Sequence, residues 1–262
     1  MLILVDDSIF LERVHMIVDR PAYLNRLDSL KDKHIIKVLT GVRRCGKSTI
    51  MELFRRHLSA GGVAPEQIHQ YTFEDLDLSE SQDYLSFYDT IKNSLAPGTM
   101  NYLFLDEIQQ LKNFEKVVNS LFLMDNLDIY LTGSNGYMLS GELATLLSGR
   151  YIEIPVYPLS FKEFTSCDSN ADTTFDRYQR YGSFPFTLSL DDEDSLQGYL
   201  EGVVNTVLVK DVLARKQRSN SVLVSGLASF LVDTSGSLIT VKKISDTLTS
   251  AGLKTNPDTI MD

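Results

Sequence analysis

Gly41, Gly46, Lys47 and Ser48 stand in the order G-x-x-x-x-G-K-[ST], the pattern of a P-loop, and residue types at those intervals can hold a chain of phosphates. Glycines let the backbone take positive φ and come close to a ligand, so successive N–H groups along Val42, Arg43, Arg44 and Cys45 can converge on one anion. Lys47 brings a point charge to the outer phosphates. The Ser48 hydroxyl can ligate Mg²⁺, and the helix that runs on through Thr49 adds its N-terminal dipole. Cys45, inside the loop, reads as a small filler rather than a nucleophile.

A second group of polar residues lies downstream. Asp106 and Glu107 close the apolar run NYLFLDE, and a carboxylate at a strand's C-terminal end can reach a magnesium ion held by the Ser48 hydroxyl, which assigns Ser48 and Asp106 to the metal. Hydrolysis also needs a group that orients and deprotonates the attacking water, and Glu107 is the candidate base. A small-molecule kinase would need an acceptor pocket and no such adjacent glutamate. The run DIYLTGSN ends in small polar residues, of which Ser134 or Asn135 could position the water; the other reading is an ordinary strand-to-helix cap. Arg150 follows a leucine-faced segment. It is either a cation supplied to a γ-phosphate, worth roughly 10³ to 10⁵ in rate where it operates, or a surface charge.

The elements that must position these residues alternate in type. HIIKVL, IHQYTF, NYLFLDE, DIYLTGSN and YIEIPV read as buried strands. Between them, Ile50, Leu53, Phe54 and Leu58, then Tyr84, Phe87, Tyr88, Ile91 and Leu95, then Phe114, Val117, Val118, Leu121 and Phe122, then Leu139, Leu143, Leu146 and Leu147 mark apolar helix faces. The expectation is an α/β fold with a five-stranded, mostly parallel sheet covered on both faces. From Ser160 onward only helical patterns appear: an aromatic-rich appendage over 161–186, a long helix over 196–218 interrupted near Gly202, and shorter ones marked by Val224, Leu227, Ala228 and Leu231 and by Val241, Ile244 and Leu248. Asn256 and Pro257 give a good helix start. The sequence stops just after it, so it reads as the front part of a longer protein.

Composition narrows the function classes. A net charge of −10 and a pI of about 4.9 oppose nucleic-acid binding over the whole surface. The charge is uneven: Asp168 to Asp194 carries seven acids against two arginines, whereas Leu196 to Asp262 carries seven basic residues against six acidic ones. Any DNA contact would therefore be local and late in the chain, and the acidic stretch reads as a solvated loop. No run is long and apolar enough for a membrane span, and Asp6 and Asp7 interrupt the apolar start where a signal peptide would continue. The two cysteines, Cys45 and Cys167, form no metal or disulfide pattern and suit a reducing cytoplasm.

The succession GVRRCGKST, YLFLDEIQQL, LTGSNGYMLSGELATLLSGRYIEI, PLSFKEF and RYGSFP resembles a large group of prokaryotic AAA+ ATPases that carry a C-terminal domain of unknown function after the ATPase module. The resemblance covers roughly Pro21 to the C-terminus. It implies ATP with Mg²⁺ as ligands, Walker A at Gly41 to Ser48, Walker B at Asp106 and Glu107, a sensor at Ser134 or Asn135, and Arg150 presented to a neighbouring subunit of a homo-oligomer. It further implies an AAA+ core over 21–158 after an extension at 1–20, a helical lid over 159–220, and a partial winged helix over 221–262. In the lid, Gly182-Ser183-Phe184-Pro185 stands where the group usually has Gly-Gly-x-Pro; Tyr181 and Pro185 are either neighbours of the adenine or core aromatics and ring. The implied function is hydrolysis of ATP coupled to a conformational change. The alternative is a slow ATP-gated switch, or a regulator that binds a protein or DNA through its C-terminal region.

Overall fold

A computed structural model describes residues 17–73, 83–134, 147, 149–167, 174–207 and 221–261. The first of its elements was not marked by the sequence patterns: helix α1, Pro21–Leu30, begins on a proline, whose fixed φ suits the first helical position, and buries Leu27 and Leu30. Strand β1, Ile36–Gly41, and helix α2, Lys47–Ala60, flank the glycine loop. Then come β2, Ile68–Thr72, and α3, Tyr84–Ser94; β3, Asn101–Asp106, and α4, Phe114–Leu121; β4, Leu127–Ser134, and β5, Tyr151–Pro155.

The five strands form one sheet in the order β2-β3-β4-β1-β5, and every pairing is parallel. The expected α/β class and strand set hold. Period-two alternation divides each strand between the two faces of the sheet. Ile36 and Val38 pack with Phe87, Ile91, Val117, Val118 and Leu121 of α3 and α4. Leu39 packs with Ile50, Met51, Phe54 and Leu58 of α2 and with Leu27 and Leu30 of α1. On that second face Phe104 stacks on Tyr130 with ring centroids 4.8 Å apart, and Phe54 tilts against Tyr130 at 5.3 Å.

The apolar reading of β1 hides one charge. Lys37 is fully buried, where its ammonium pairs with Asp128 and donates to the Lys33 carbonyl at 2.8 Å. Asp128 also accepts from the Asp32 backbone N–H at 2.9 Å and the Tyr130 hydroxyl at 2.8 Å. Burial pushes Lys37 down and Asp128 up, and their mutual attraction opposes both shifts.

Beyond the sheet, α5, Phe161–Thr165, opens with a capping box in which Ser160 and Glu163 bond each other's backbone N–H groups. Helix α6, Thr174–Tyr181, and a 3₁₀ turn, Pro185–Ser189, follow. Arg177 ties them by donating to the Thr187 and Leu190 carbonyls at 3.0 and 2.6 Å. The described part of the acidic stretch expected as a solvated loop is thus largely helical, its two arginines serving backbone carbonyls and the Arg180–Glu193 ion pair. Helix α7, Glu193–Thr206, runs through Gly202 without the expected interruption. One glycine costs a helix about 1 kcal/mol relative to alanine, which neighbouring turns absorb.

The chain divides into two compact units that meet between Leu200 and Glu201. In the second, α8, Ser221–Asp233, α9, Val241–Ser250, and α10, Pro257–Met261, are all helical. Thr240 caps α9 by accepting from the Lys243 N–H, and Asn256 accepts from the Thr259 N–H at 2.8 Å, as its N-cap position implied. Ile244 and Leu248 are the buried apolar residues of α9.

Candidate functional site

The strand registers bring the C-terminal ends of β1, β4, β3 and β2 to one edge: Gly41 pairs with Ser134, Leu131 with Leu105, and Asp106 with Thr72. Crevices at this edge are where parallel sheets of helix-covered strands bind ligands.

Gly41 begins the loop because nothing larger fits. A Cβ there would lie 2.3 Å from the Val156 carbonyl oxygen and 2.8 Å from Cys45 Sγ. Arg44 and Gly46 both take left-handed conformations, with φ of 67° and 100°, and such alternation turns successive N–H groups toward one concavity. Gly46 is also the residue before α2, so the free N–H groups of that helix's first turn open into the same space. Cys45 is fully buried, and burial pushes its thiol up, which keeps it neutral as a filler. Ser48 is exposed on the first turn of α2, and Val42, Arg43 and Thr49 are half-buried around the loop.

Lys47 lies back across the loop it follows. Its ammonium donates to the Gly41 and Val42 carbonyls at 3.1 and 3.2 Å and stands 3.7 Å from Glu107 Oε1. Glu107 reaches it because the chain turns sharply after β3, with Glu107 itself left-handed at φ 52° and ψ 42°. Thr132 on β4 fixes both carboxylate residues: its hydroxyl accepts from the Glu107 N–H at 2.9 Å and donates to Asp106 Oδ1. Thr72 donates to the other Asp106 oxygen at 3.4 Å. The Gln109 amide donates to Glu107 Oε2.

These contacts bring Lys47, Asp106 and Glu107 together and add Thr132 and Thr72, which sequence reading passed over. The polar run ending β4 was the signal, with the weight placed on Ser134 and Asn135. Ser134 has its backbone beside Gly41, and Asn135 lies outside the described residues. Toward a hard cation bound mostly through its ligand and water, Ser48 and Asp106 would supply one hydroxyl and one carboxylate. Among the described residues no cluster of three His, Cys, Asp or Glu is placed to hold a metal by itself.

Arg20 was missed altogether, being assigned to an N-terminal extension. It is buried and locks three segments around the loop, donating to the Cys45 carbonyl at 3.1 Å, the Tyr157 carbonyl at 2.9 Å and Glu163 Oε1 at 2.8 Å. Its guanidinium also covers the Tyr23 ring at 4.4 Å. Burial alone would raise Glu163, but hydrogen bonds from Arg20 and Ser160 outweigh it and hold the carboxyl below its usual range. Pro185 is brought to the loop too, its Cγ 3.8 Å from where a Gly46 Cβ would be. The ring of the next residue, Phe186, lies 5.0 Å from that of Tyr199.

Arg150 is placed elsewhere. Its carbonyl accepts from the Ile36 N–H at 3.0 Å, at the start of β1. Five residues of parallel strand, about 16 Å, separate that end from the loop. The exposed guanidinium lies over the Phe122 ring at 5.6 Å, so Arg150 does not reach the glycine loop of its own chain.

Residues 33–165, just over half of the chain, match the model of a family described as an AAA domain. An uncharacterized protein of Haemophilus influenzae is 38% identical over 93% of this chain and 62% of its own length. One from Methanocaldococcus jannaschii is 29% identical over 86% of this chain and 52% of its own length. The chain thus spans a little over half the length of these relatives. Among solved structures, the Walker-type ATPase of Pyrococcus abyssi superposes with a TM-score of 0.62 at 17% identity, over 94% of this chain and 87% of that one. A closed-state Hsp104 complex with ATPγS and casein gives 0.50 at 16% identity, over 92% of this chain and 50% of that one. The chain belongs to the AAA-domain family, with the fold of a P-loop AAA+ ATPase.

Proposed function

We propose that the protein hydrolyses ATP to ADP and phosphate and couples this to a conformational change. The observation that carries the reading is the approach of Glu107, the carboxylate just after β3, to 3.7 Å from Lys47, the lysine that opens α2 after the glycine loop. In this reading the N–H groups of the loop from Val42 to Gly46 hold the phosphates. Lys47 exchanges the Gly41 and Val42 carbonyls for phosphate oxygens. Ser48 and Asp106 would hold Mg²⁺, which supplies charge neutralisation on the phosphates when bound.

Glu107 then accepts a proton from the water whose oxygen bonds to the γ-phosphorus, and the bond to the β,γ-bridging oxygen breaks as ADP leaves. Thr132 keeps Asp106 and Glu107 in register. Ser134 or Asn135 could assist with the water. Pro185, on the lid segment 159–220, has its Cγ 3.8 Å from where a Gly46 Cβ would be, and would neighbour the adenine in this reading. The decisive comparison is steady-state phosphate release by the parent and by Glu107→Gln: turnover should vanish in the variant while ATP and Mg²⁺ binding persist. Parent-rate hydrolysis by that variant would assign the base elsewhere.

Arg150 serves the nucleotide of a neighbouring copy in a homo-oligomer, since its own loop is out of reach. The core is 21–158 and the three helices of 221–261 begin a winged helix that contacts a partner, a protein or DNA; the net charge of −10 gives DNA no support over the chain as a whole. No described helix is long and apolar enough to cross a membrane, and the free cysteines suit the cytoplasm. The Lys47 and Gln109 contacts that hold Glu107 also suit a slow ATP-gated switch. Comparing single-turnover with steady-state rates separates the two readings.

A further inference from the structure

The peptide unit between Cys45 and Gly46 is gripped by its oxygen. Arg20 donates to the Cys45 carbonyl through Nη1 at 3.1 Å, in a buried contact. No peptide bond among the described residues is cis, and in a planar trans unit the carbonyl oxygen and the N–H of the following residue point in opposite directions. The other acceptors of Arg20, the Tyr157 carbonyl at 2.9 Å and Glu163 Oε1 at 2.8 Å, follow β5 on one side of β1, whereas Asp106 and Glu107 stand at the end of β3 on the other side. Drawing the Cys45 oxygen toward the β5 side therefore turns the Gly46 N–H toward the side of the carboxylates. Gly46 makes this grip necessary. With no Cβ and a φ of 100°, it is a hinge at which the Cys45–Gly46 unit can turn over at low cost. The inverted unit would set a carbonyl oxygen, an acceptor, among the N–H groups read as holding phosphate.

We propose that Arg20 is a positioning residue for phosphate binding, its guanidinium keeping the Gly46 N–H turned into the loop. This rests on the reading of that loop as the phosphate site. Arg20 is itself held. Its backbone carbonyl accepts from the Tyr23 and Leu24 N–H groups at 3.1 and 3.3 Å at the start of α1, and the Tyr23 ring lies against the guanidinium at 4.4 Å. Nε and Nη2 reach the two oxygens of Glu163 at 2.8 and 3.3 Å, a two-pronged pairing that fixes the plane of the fork. Glu163 is fixed in turn on α5 by the Ser160 N–H and hydroxyl, each donating to Oε2 at 2.8 Å. The position of α5 is thus passed through Glu163 and Arg20 to one peptide of the loop. Withdrawing Glu163 frees the Cys45–Gly46 unit to turn over, and the hold on phosphate weakens.

Two ligands locate the effect: a fluorescent ATP analogue, and inorganic tripolyphosphate competing with it. Arg20→Ala, measured well below its Tm, should raise the Kd of the analogue and the inhibition constant of tripolyphosphate by the same factor, about tenfold, the scale of one hydrogen bond to a charged group. The space it leaves admits a free guanidinium ion, which should restore much of both affinities at matched ionic strength and at a concentration that leaves the parent's Tm unchanged. Glu163→Gln keeps an acceptor for Arg20 but loses the charged pairing, and should raise both constants about threefold. An analogue Kd that rises while tripolyphosphate binds as in the parent would place the effect on the base and overturn the assignment. A lowered Tm with both constants within twofold of the parent, the mark of a merely structural arginine, would overturn it as well. Should Arg20→Ala not fold, Glu163→Gln decides, and parent-like constants in it would overturn the assignment. Lys47→Ala, measured alongside, keeps two failures apart. If it loses both ligands and Arg20→Ala keeps both, the Arg20 assignment falls alone. If Lys47→Ala binds as the parent does, or the parent binds neither ligand, the phosphate-site reading falls and this one with it.

Discussion

Lys47 and Glu107 meet at 3.7 Å although β4 lies between the strands that deliver them. Both are buried, at 4 and 5% exposure, so each screens the charge of the other from an apolar surrounding. The lysine has two further partners, both carbonyls of its own loop. A triphosphate entering the loop offers stronger, charged acceptors for the same ammonium. Lys47→Ala should therefore reduce ATP affinity by at least a hundredfold. Titration of a fluorescent analogue checks this, and parent-like affinity in the variant would remove the phosphate-binding assignment of the loop.

Gly41 and Gly62 make a controlled pair. Gly41→Ala drives a Cβ to 2.3 Å from the Val156 carbonyl, whereas at Gly62 nothing lies within 4 Å and the cost is only that of its φ of 91°. The Val156 N–H is itself bonded to the Thr40 carbonyl at 2.6 Å, so this neighbour cannot move away freely. Gly41→Ala should lose nucleotide binding and several degrees of Tm, and Gly62→Ala about 1 to 2 kcal/mol of stability with binding intact. Thermal melts with and without ATP distinguish them.

The contrast between these loops marks what sequence could and could not reveal. Gly41, Gly46, Lys47 and Ser48 are recognisable because backbone approach and charge each demand one residue type at a fixed interval. Strands were legible because β1 and β3 are buried on both faces and read as apolar runs, interrupted in β1 only by Lys37 before its last apolar pair. Arg20 was not, since its three acceptors lie 25, 137 and 143 residues away and two of them are backbone carbonyls, which leave no trace in residue type. Thr132 was hidden differently: a threonine in a strand has a packing explanation, and only the left-handed turn at Glu107 brings a backbone N–H to its hydroxyl.

Arg20 also makes the loop sensitive to acid. Glu163 has a folded-state pKa held below its usual value of 4.5 by Arg20 and Ser160, against the upward pull of burial. A depressed carboxylate contributes stability that is present above the unfolded pKa and is lost as pH falls through the folded one. Glu163 is partly exposed, so the contribution is under about 1 kcal/mol. The parent's Tm should fall between pH 5 and pH 3 more than that of Glu163→Gln. Parallel slopes for the two proteins over that interval would assign the acid sensitivity to other groups.

Lys37 and Asp128 make a stronger stability statement. Asp128→Asn keeps the shape but leaves the buried ammonium of Lys37 with the Lys33 carbonyl and no counter-ion. Removing one partner of a buried pair typically costs about 3 to 5 kcal/mol, whereas replacing both by apolar groups of similar volume can be neutral. Urea unfolding should show Asp128→Asn well below the parent and the double variant Lys37→Met/Asp128→Leu above that single variant. Additive losses in the double variant would mean the two charges do not compensate each other.

Arg150 supplies the sharpest test of assembly. It sits at the N-terminal end of β5, its backbone bonded to Ile36, about 16 Å of strand from the glycine loop. A contribution to catalysis therefore has to be made to the nucleotide of another copy. Specific activity should rise with protein concentration, and Arg150→Ala should lose turnover while keeping ATP affinity. Mixing makes the case stricter. An Arg150→Ala subunit keeps an intact Glu107, and a Glu107→Gln subunit keeps an intact Arg150, so two variants inactive alone should recover part of the activity when combined. Stacking on Phe122 is the competing role, and it predicts the reverse: activity per molecule independent of concentration, no recovery on mixing, and a loss of Tm in Arg150→Ala that Arg150→Lys only partly restores.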